Sequence, residues 1–190
     1  REVLALGADE AVLISDRACA GSDTLATAVI LAAALEKFAP FQLVLCGERA
    51  TDGDTGQVGP ELAAKLNFSL ATFVNELSHT ESGLKVERKS EYASEEWLLK
   101  YPALVTVTKA IGEIGLPTLK NKMAARRKEI SRVNAADLQL DPDSIGLKGS
   151  PTRVVKIFYP SLSRKGELYM AEDDKSIELA VSKFENFVKD

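Results

Sequence analysis

Cysteine and histidine are scarce in this chain: 190 residues contain two cysteines, Cys19 and Cys46, and one histidine, His79. Without a CxxC spacing, these three residues argue against a disulfide framework and against a Cys/His metal cluster. Cys46, inside an apolar run, reads as a small buried hydrophobe. Long apolar runs are missing too. No stretch approaches the roughly eighteen residues of a membrane span, and no charged-then-apolar leader opens the chain. A cytoplasmic protein is the expectation. Positive charge is the minority sign, with 24 Lys and Arg against 28 Asp and Glu and a net charge of -4. That balance disfavours a general nucleic-acid binder, which needs a concentrated basic face.

What is present suits a soluble core, since 45% of the residues are hydrophobic and 27% charged. Val12-Leu13-Ile14 is a short apolar run after the helix-ending Gly7, as expected for a buried strand of a parallel sheet. Ser22 or Asp23 can cap a helix running to Phe38, with Leu25, Val29, Leu31, Leu35 and Phe38 on its apolar side. Gln42 to Cys46 is the next strand, and a helix follows from Pro60 to Leu66. This order predicts a doubly wound α/β fold, a mostly parallel sheet of the Rossmann-like, adenine-nucleotide-binding type. From Ala71 the pattern alternates, and Thr72–Val74, Leu84–Arg88, Glu96–Leu99 and Leu104–Val107 read as strands that extend the sheet in antiparallel fashion. Residues 1–136 form the α/β domain in this reading, 137–150 a polar linker with Pro142, Gly146 and Gly149, and 151–190 a C-terminal arm. The arm ends in an amphipathic helix from Asp174 to Val188, with Ile177, Leu179, Val181, Phe184 and Phe187 apolar.

Between the second strand and its helix lies LVLCGERATDGDTGQVGP, residues 43–60. Loops that leave the carboxyl end of a parallel strand for a helix N-terminus present free backbone N–H groups, which suit phosphates. Gly47, Gly53, Gly56 and Gly59 let the backbone come close to a ligand. The loop is neither a GxGxxG fingerprint nor a GxxxxGK[ST] phosphate loop. A structural account competes: Asp54 and Gln57 have capping-box spacing, Asp52-Gly53 is a tight turn, and Pro60 suits a first helical turn. An EF-hand is excluded by Gly56 at a carboxylate position and by Ala63 in place of the closing glutamate. Asp52 and Asp54 would repel a phosphate, so one of them is expected to cap the helix or meet a ribose hydroxyl.

With LALGADEAVLIS, GSDTLATA, the loop segment through Ala63-Ala64-Lys65-Leu66, and the stretch from Tyr101-Pro102-Ala103-Leu104 to Arg126-Arg127-Lys128 in order, the chain resembles the beta subunit of electron transfer flavoproteins over nearly its whole length. The resemblance implies that the family's opening sheet strands are absent here. It also implies a heterodimer with an alpha subunit that carries the redox FAD, while the beta subunit holds an adenine nucleotide. That nucleotide is AMP in one branch of the family. In the other it is a second FAD that takes electrons from NADH and bifurcates them, one toward ferredoxin or flavodoxin and one through the alpha-subunit FAD to a dehydrogenase. The chain looks like the FAD branch at Asp23, Thr24 and Thr27, where the threonines lie near the flavin ring, and at the loop. The residues so implied to bind the cofactor are Asp23, Thr24, Thr27, Gly47, Ala50, Asp52, Gly53, Asp54, Thr55, Gly56, Gln57 and Val58. Thr24 and Thr27 share a helix face, although a helical threonine also bonds its own backbone.

No side chain is expected to act as acid or base, because the chain would be an electron carrier that orients a flavin. By the same resemblance, Leu119 anchors a flavin-dependent dehydrogenase, with Lys122, Arg126 and Arg127 beside it as a charged rim. The chain departs from the family just before this anchor, where Glu113-Ile114-Gly115-Leu116-Pro117 stands. The arm is expected either to pack on the alpha subunit or to cover the chain's own sheet.

Overall fold

A computed structural model describes residues 1–90, 92–158, 169–170 and 174–189, with side chains through 185. The α/β reading holds. A five-stranded sheet runs in the order β2-β6-β3-β4-β5, where β2 is Leu43–Gly47, β3 Ser69–Thr80, β4 Gly83–Lys89, β5 Ser94–Leu99 and β6 Ala103–Val107. β2 and β3 flank β6 in parallel. β3, β4 and β5 then form an antiparallel extension that, contrary to expectation, leaves out Leu104–Val107, since this strand is parallel to both its neighbours. β6, between β2 and β3, is buried on both faces, which its sequence Ala103-Leu104-Val105-Thr106 allows without a charge.

The period of two divides β6 between two cores. Leu104 packs with Ala28 and Ala32 of α2 (Thr24–Phe38) and with Leu62 and Ala63 of α3 (Val58–Leu66). Ala103 and Val105 join Ala71, Val74, Leu84, Val86 and Leu99 in the other cluster. α2 keeps part of the expected apolar side, with Val29, Leu31 and Leu35 half-buried against the cores. Its buried residues are Ala26, Ala28, Ile30, Ala32 and Ala34, whereas Leu25 and Phe38 are exposed. The reason is that α2 is buried along two flanks: Ala28 and Ala32 meet the large sheet, and Ile30 and Ala34 meet a second core. Small side chains let the helix backbone approach both.

That second core changes two expectations. β1 (Val12–Ile14) does not join the large sheet; it pairs in parallel with β7 (Ser131–Val133), a strand not foreseen in the sequence. Residues 137–150 are no free linker in this structure, because Leu138 and Ile145 are buried with Ile30, Ala34 and Val133. The compact unit accordingly runs from Arg1 to Arg153. Asp16 ties this side together: one carboxylate oxygen accepts from Ala18 N–H at 2.9 Å and the other from Ala135 N–H at 3.0 Å.

α1 (Glu2–Ala5) packs Leu4 and Ala5 on Ala125 of α4 (Leu119–Arg127), and α5 (Gly146–Gly149) is a single turn beside α2. The second unit, Val154 to Asp190, contains α6 (Asp174–Lys189), and Ile177, Leu179, Val181 and Phe184 on this helix are exposed. The arm's residues 159–168 and 171–173, and the side chain of Phe187, lie outside the described residues. Among the described residues no helix is long and apolar enough to cross a membrane, and no His, Cys, Asp and Glu group could hold a metal ion.

Candidate functional site

The N-termini of α2 and α3 meet beyond the carboxyl end of β2. Asp23 caps α2, its Oδ1 accepting from Ala26 N–H at 3.1 Å. Its Oδ2 accepts from the backbone N–H of Thr152 at 3.0 Å and from the Thr152 hydroxyl at 2.8 Å. Both carboxylate oxygens are thereby spent on the start of the helix and on the chain that crosses it. Burial opposes the charged form of Asp23, but the hydrogen bonds from Ala26 and Thr152 together outweigh it and hold the carboxyl below its ordinary value. A depressed carboxyl contributes stability in full above the ordinary value of 3.8, and that contribution is lost as pH falls through the folded-state value. Asp23→Asn keeps the shape of the cap and removes the charge. The acid limb of a plot of thermal midpoint against pH should therefore flatten in this variant; a limb superimposable on the wild type would show that the carboxylate contributes nothing.

The loop after β2 folds on itself. Asp54 N–H donates to the Ala50 carbonyl at 2.8 Å, closing a turn over Thr51, Asp52 and Gly53. Asp54 and Gly56 take positive φ, 49° and 66°, a conformation that favours glycine at position 56. The Asp54 carboxylate lies 3.8 Å from Arg49, and both are well exposed. Arg49 also covers the Phe73 ring at 5.6 Å from its centroid. Asp54 is thus turned toward a cation, away from the start of α3, and Asp52 stands in solvent at the tip of the turn.

Neither aspartate caps α3, contrary to the capping-box spacing. The helix begins at Val58, two residues earlier than Pro60, with Gln57 at the capping position and no side-chain cap bond. Its first N–H groups have no side-chain cap, the arrangement that suits an anion. Gly59 sits against the sheet so closely that a Cβ there would come under 3.0 Å of the Thr106 methyl group. Thr106 is 2% exposed, and its hydroxyl accepts from Phe73 N–H at 3.1 Å, at the bulge where β3 breaks step with β6.

Three side chains bridge the two helices. The Thr24 hydroxyl is 3.4 Å from Gln57 Oε1 and 3.2 Å from Glu61 Oε1. Thr24 and Gln57 are thus brought together, and Thr27 stands one turn along α2, partly buried. Glu61, Arg49, Thr106 and Thr152 were not among the expected site residues. Glu61 could have been suspected only by placing α3's first turn beside α2, a contact across 37 positions.

On the other side of the chain, Thr118 caps α4 by accepting from Asn121 N–H at 3.1 Å. Leu119 begins the helix 75% exposed, and Leu116 before it is 96% exposed. Leu119, Lys120, Met123, Ala124 and Arg127 line one shallow hollow. Lys122 and Arg126 are exposed on the same short helix, while Ala125 faces α1.

The family profile described as "Electron transfer flavoprotein domain" matches residues 1–138. The chain is 41% identical to an electron transfer flavoprotein subunit beta of Megasphaera elsdenii over 92% of its length and 67% of that protein's. It is 38% identical to the caffeyl-CoA reductase-Etf complex subunit CarD of Acetobacterium woodii, over 88% of its length and 64% of that protein's. With the protein FixA of Azotobacter vinelandii it shares 37% identity over 95% of its length and 67% of FixA's.

Proposed function

The chain belongs to the electron transfer flavoprotein family, as a relative of its beta subunits, and from that membership we propose that it binds FAD between the starts of α2 and α3. In this role it passes electrons from NADH toward a ferredoxin or flavodoxin and toward the FAD of an alpha subunit. The observation that carries the reading is the meeting of two helix starts at the end of β2, one uncapped by any side chain and the two bridged by Thr24, Gln57 and Glu61. Ligands of open parallel sheets bind beyond the carboxyl ends of their strands.

Bound FAD supplies reversible one- and two-electron chemistry that no side chain here possesses. The chain's part is binding and orientation. The first N–H groups of α3, at Val58 and Gly59, face the pyrophosphate, and Gly53 and Gly56 keep the loop low enough for it to approach. Gly47, Ala50, Thr55 and Val58 line the passage from β2 to the helix. Asp52, free of the helix start, meets a ribose hydroxyl, and Asp54 stays with Arg49. Asp23 shapes the start of α2, which presents Thr24 and Thr27 to the ring. Leu119, with Lys122, Arg126 and Arg127 around it, anchors a flavin-dependent dehydrogenase; a relative named for a reductase-Etf complex supports a docked oxidoreductase. The exposed apolar positions of α6 suit the alpha subunit.

Acid release and chromatography of the nucleotides from the purified heterodimer test the proposal. Two FAD per heterodimer, bleached by NADH, are expected. One FAD with one AMP would replace it with a conventional electron carrier whose beta-subunit nucleotide is structural.

A further inference from the structure

We infer that Glu61 is a positioning residue that fixes the hydrogen-bond polarity of Thr24 and Gln57, so that the cleft between α2 and α3 receives a hydrogen-bond-donating edge of the nucleotide. The inference rests on the nucleotide-binding reading above and goes beyond it in assigning Glu61 a role and the cleft a ligand chemistry.

Three oxygens meet at this point, and one hydrogen serves them. Thr24 Oγ1 has a single proton to donate, with Glu61 Oε1 at 3.2 Å and Gln57 Oε1 at 3.4 Å. The carboxylate is nearer and, being charged, is the stronger acceptor, so the proton goes to Glu61. Gln57 then faces Thr24 best with its amide NH2, since two oxygens with no hydrogen between them repel. A half-turn of the amide group makes the exchange. The resulting chain of bonds runs from the Gln57 amide to the Thr24 hydroxyl to the Glu61 carboxylate. It turns the Gln57 carbonyl outward and leaves Thr24 only lone-pair capacity for a ligand.

Glu61 adds a second observation. Its Oε2 is buried and has no hydrogen-bond partner. A buried acceptor without a donor is costly, and a carboxylate oxygen more so than most. The Gln57 carbonyl and the Thr24 hydroxyl oxygen thus offer a ligand acceptors and no donor, and the enclosed Glu61 carboxylate beside them adds negative charge. A phosphate is unwelcome here, being both acceptor and like-charged; phosphates belong on the other side, at the loop and the first N–H groups of α3. The complementary group carries N–H or O–H, as does the flavin half of FAD or the adenosine half of either nucleotide. A carboxylate in a first helical turn has another use, favourable interaction with the helix dipole, and the experiment must separate the two.

The heterodimer of the full chain with its alpha subunit, stripped of nucleotide, is titrated with FAD and with AMP in the wild type, Glu61→Gln, Thr24→Val and the double variant. Glu61→Gln keeps the size of the side chain but can donate an N–H to Thr24, which frees the Thr24 proton to point at the ligand's donor, so affinity should fall by about tenfold. Thr24→Val should cost a similar factor, and the double variant scarcely more than either alone, because the two act as one unit. Loss for FAD alone assigns the donor to the flavin half; equal loss for FAD and AMP assigns it to the adenosine half. Thermal unfolding of the nucleotide-free heterodimers confirms that the variants fold. Unchanged affinities with a lowered melting point would overturn the inference and leave a dipole role, and strictly additive losses would overturn the coupling. A wild type that binds neither nucleotide would overturn the binding reading itself, and this inference with it.

Discussion

Gly59→Ala is expected to lift the start of α3 off the sheet, destabilising the protein by about 1–3 kcal/mol and weakening nucleotide binding with it. The added methyl would come under 3.0 Å of the Thr106 side-chain methyl, with Leu104 and Cys46 close behind. Thr106 is poorly placed to yield. It is buried, and its hydroxyl holds the Phe73 N–H at the β3 bulge, so a change of rotamer would trade the clash for an unpaired backbone donor. The helix must move instead, carrying away the N–H groups of its first turn and the contact between Glu61 and Thr24. Denaturant unfolding measures the first effect and nucleotide titration the second. Thr106→Ser, which removes the offending methyl and keeps the hydroxyl, should restore most of both in the Gly59→Ala background. Failure of that rescue would mean that Gly59 is required for some reason other than its approach to Thr106.

Gly146→Ala should cost more, on the order of 2–4 kcal/mol, from a strained backbone together with overpacking. Gly146 has φ of 61°, and a Cβ there would come under 3.0 Å of the Ala18 carbonyl oxygen, which cannot rotate out of the way as a side chain can. The position is also tied on both sides. Its N–H donates to the Ser22 hydroxyl at 2.9 Å, and its carbonyl accepts from Ser150 Oγ at 2.6 Å; the same Ser150 oxygen accepts from Asp23 N–H at 2.8 Å. A shift at Gly146 therefore reaches the residue that caps α2. The expected result is a lower unfolding midpoint accompanied by weaker nucleotide binding. If binding were intact at temperatures well below the midpoint, the connection from Gly146 to Asp23 would not matter to the site.

The same network explains why the segment 137–150 misleads as a string of letters. Its prolines, glycines and aspartates have the composition of a linker, and composition says nothing of where two apolar residues among them land. Leu138 and Ile145 are far apart in sequence from Ile30 and Ala34, and only the folded chain brings them together. β7 was hidden for a related reason: Ser131-Arg132-Val133 has no strand pattern of its own and is held by its pairing with β1. In α2 the long apolar residues promised the buried face, yet four of its five buried residues are alanines, with Val29, Leu31 and Leu35 only half-buried beside them, because a helix buried on two flanks needs close approach as well as side-chain volume.

What was legible locally came from local physics. The alternation after Ala71 reports the two faces of a strand, Asp23 reports a helix start through its side-chain acceptor, and the glycines after β2 report a loop between strand and helix. These, with the family motifs, determined the α/β class, the place of the loop and most of the elements. Tertiary structure decided whatever depends on distance in space between residues distant along the chain: that Asp54 turns to Arg49 and leaves α3 uncapped, that Gly59 rests on Thr106, and that Glu61 joins Thr24 across 37 positions. Hydrogen-bond polarity and steric contact act over a few ångströms, and no spacing in a sequence encodes them until the helices are set side by side.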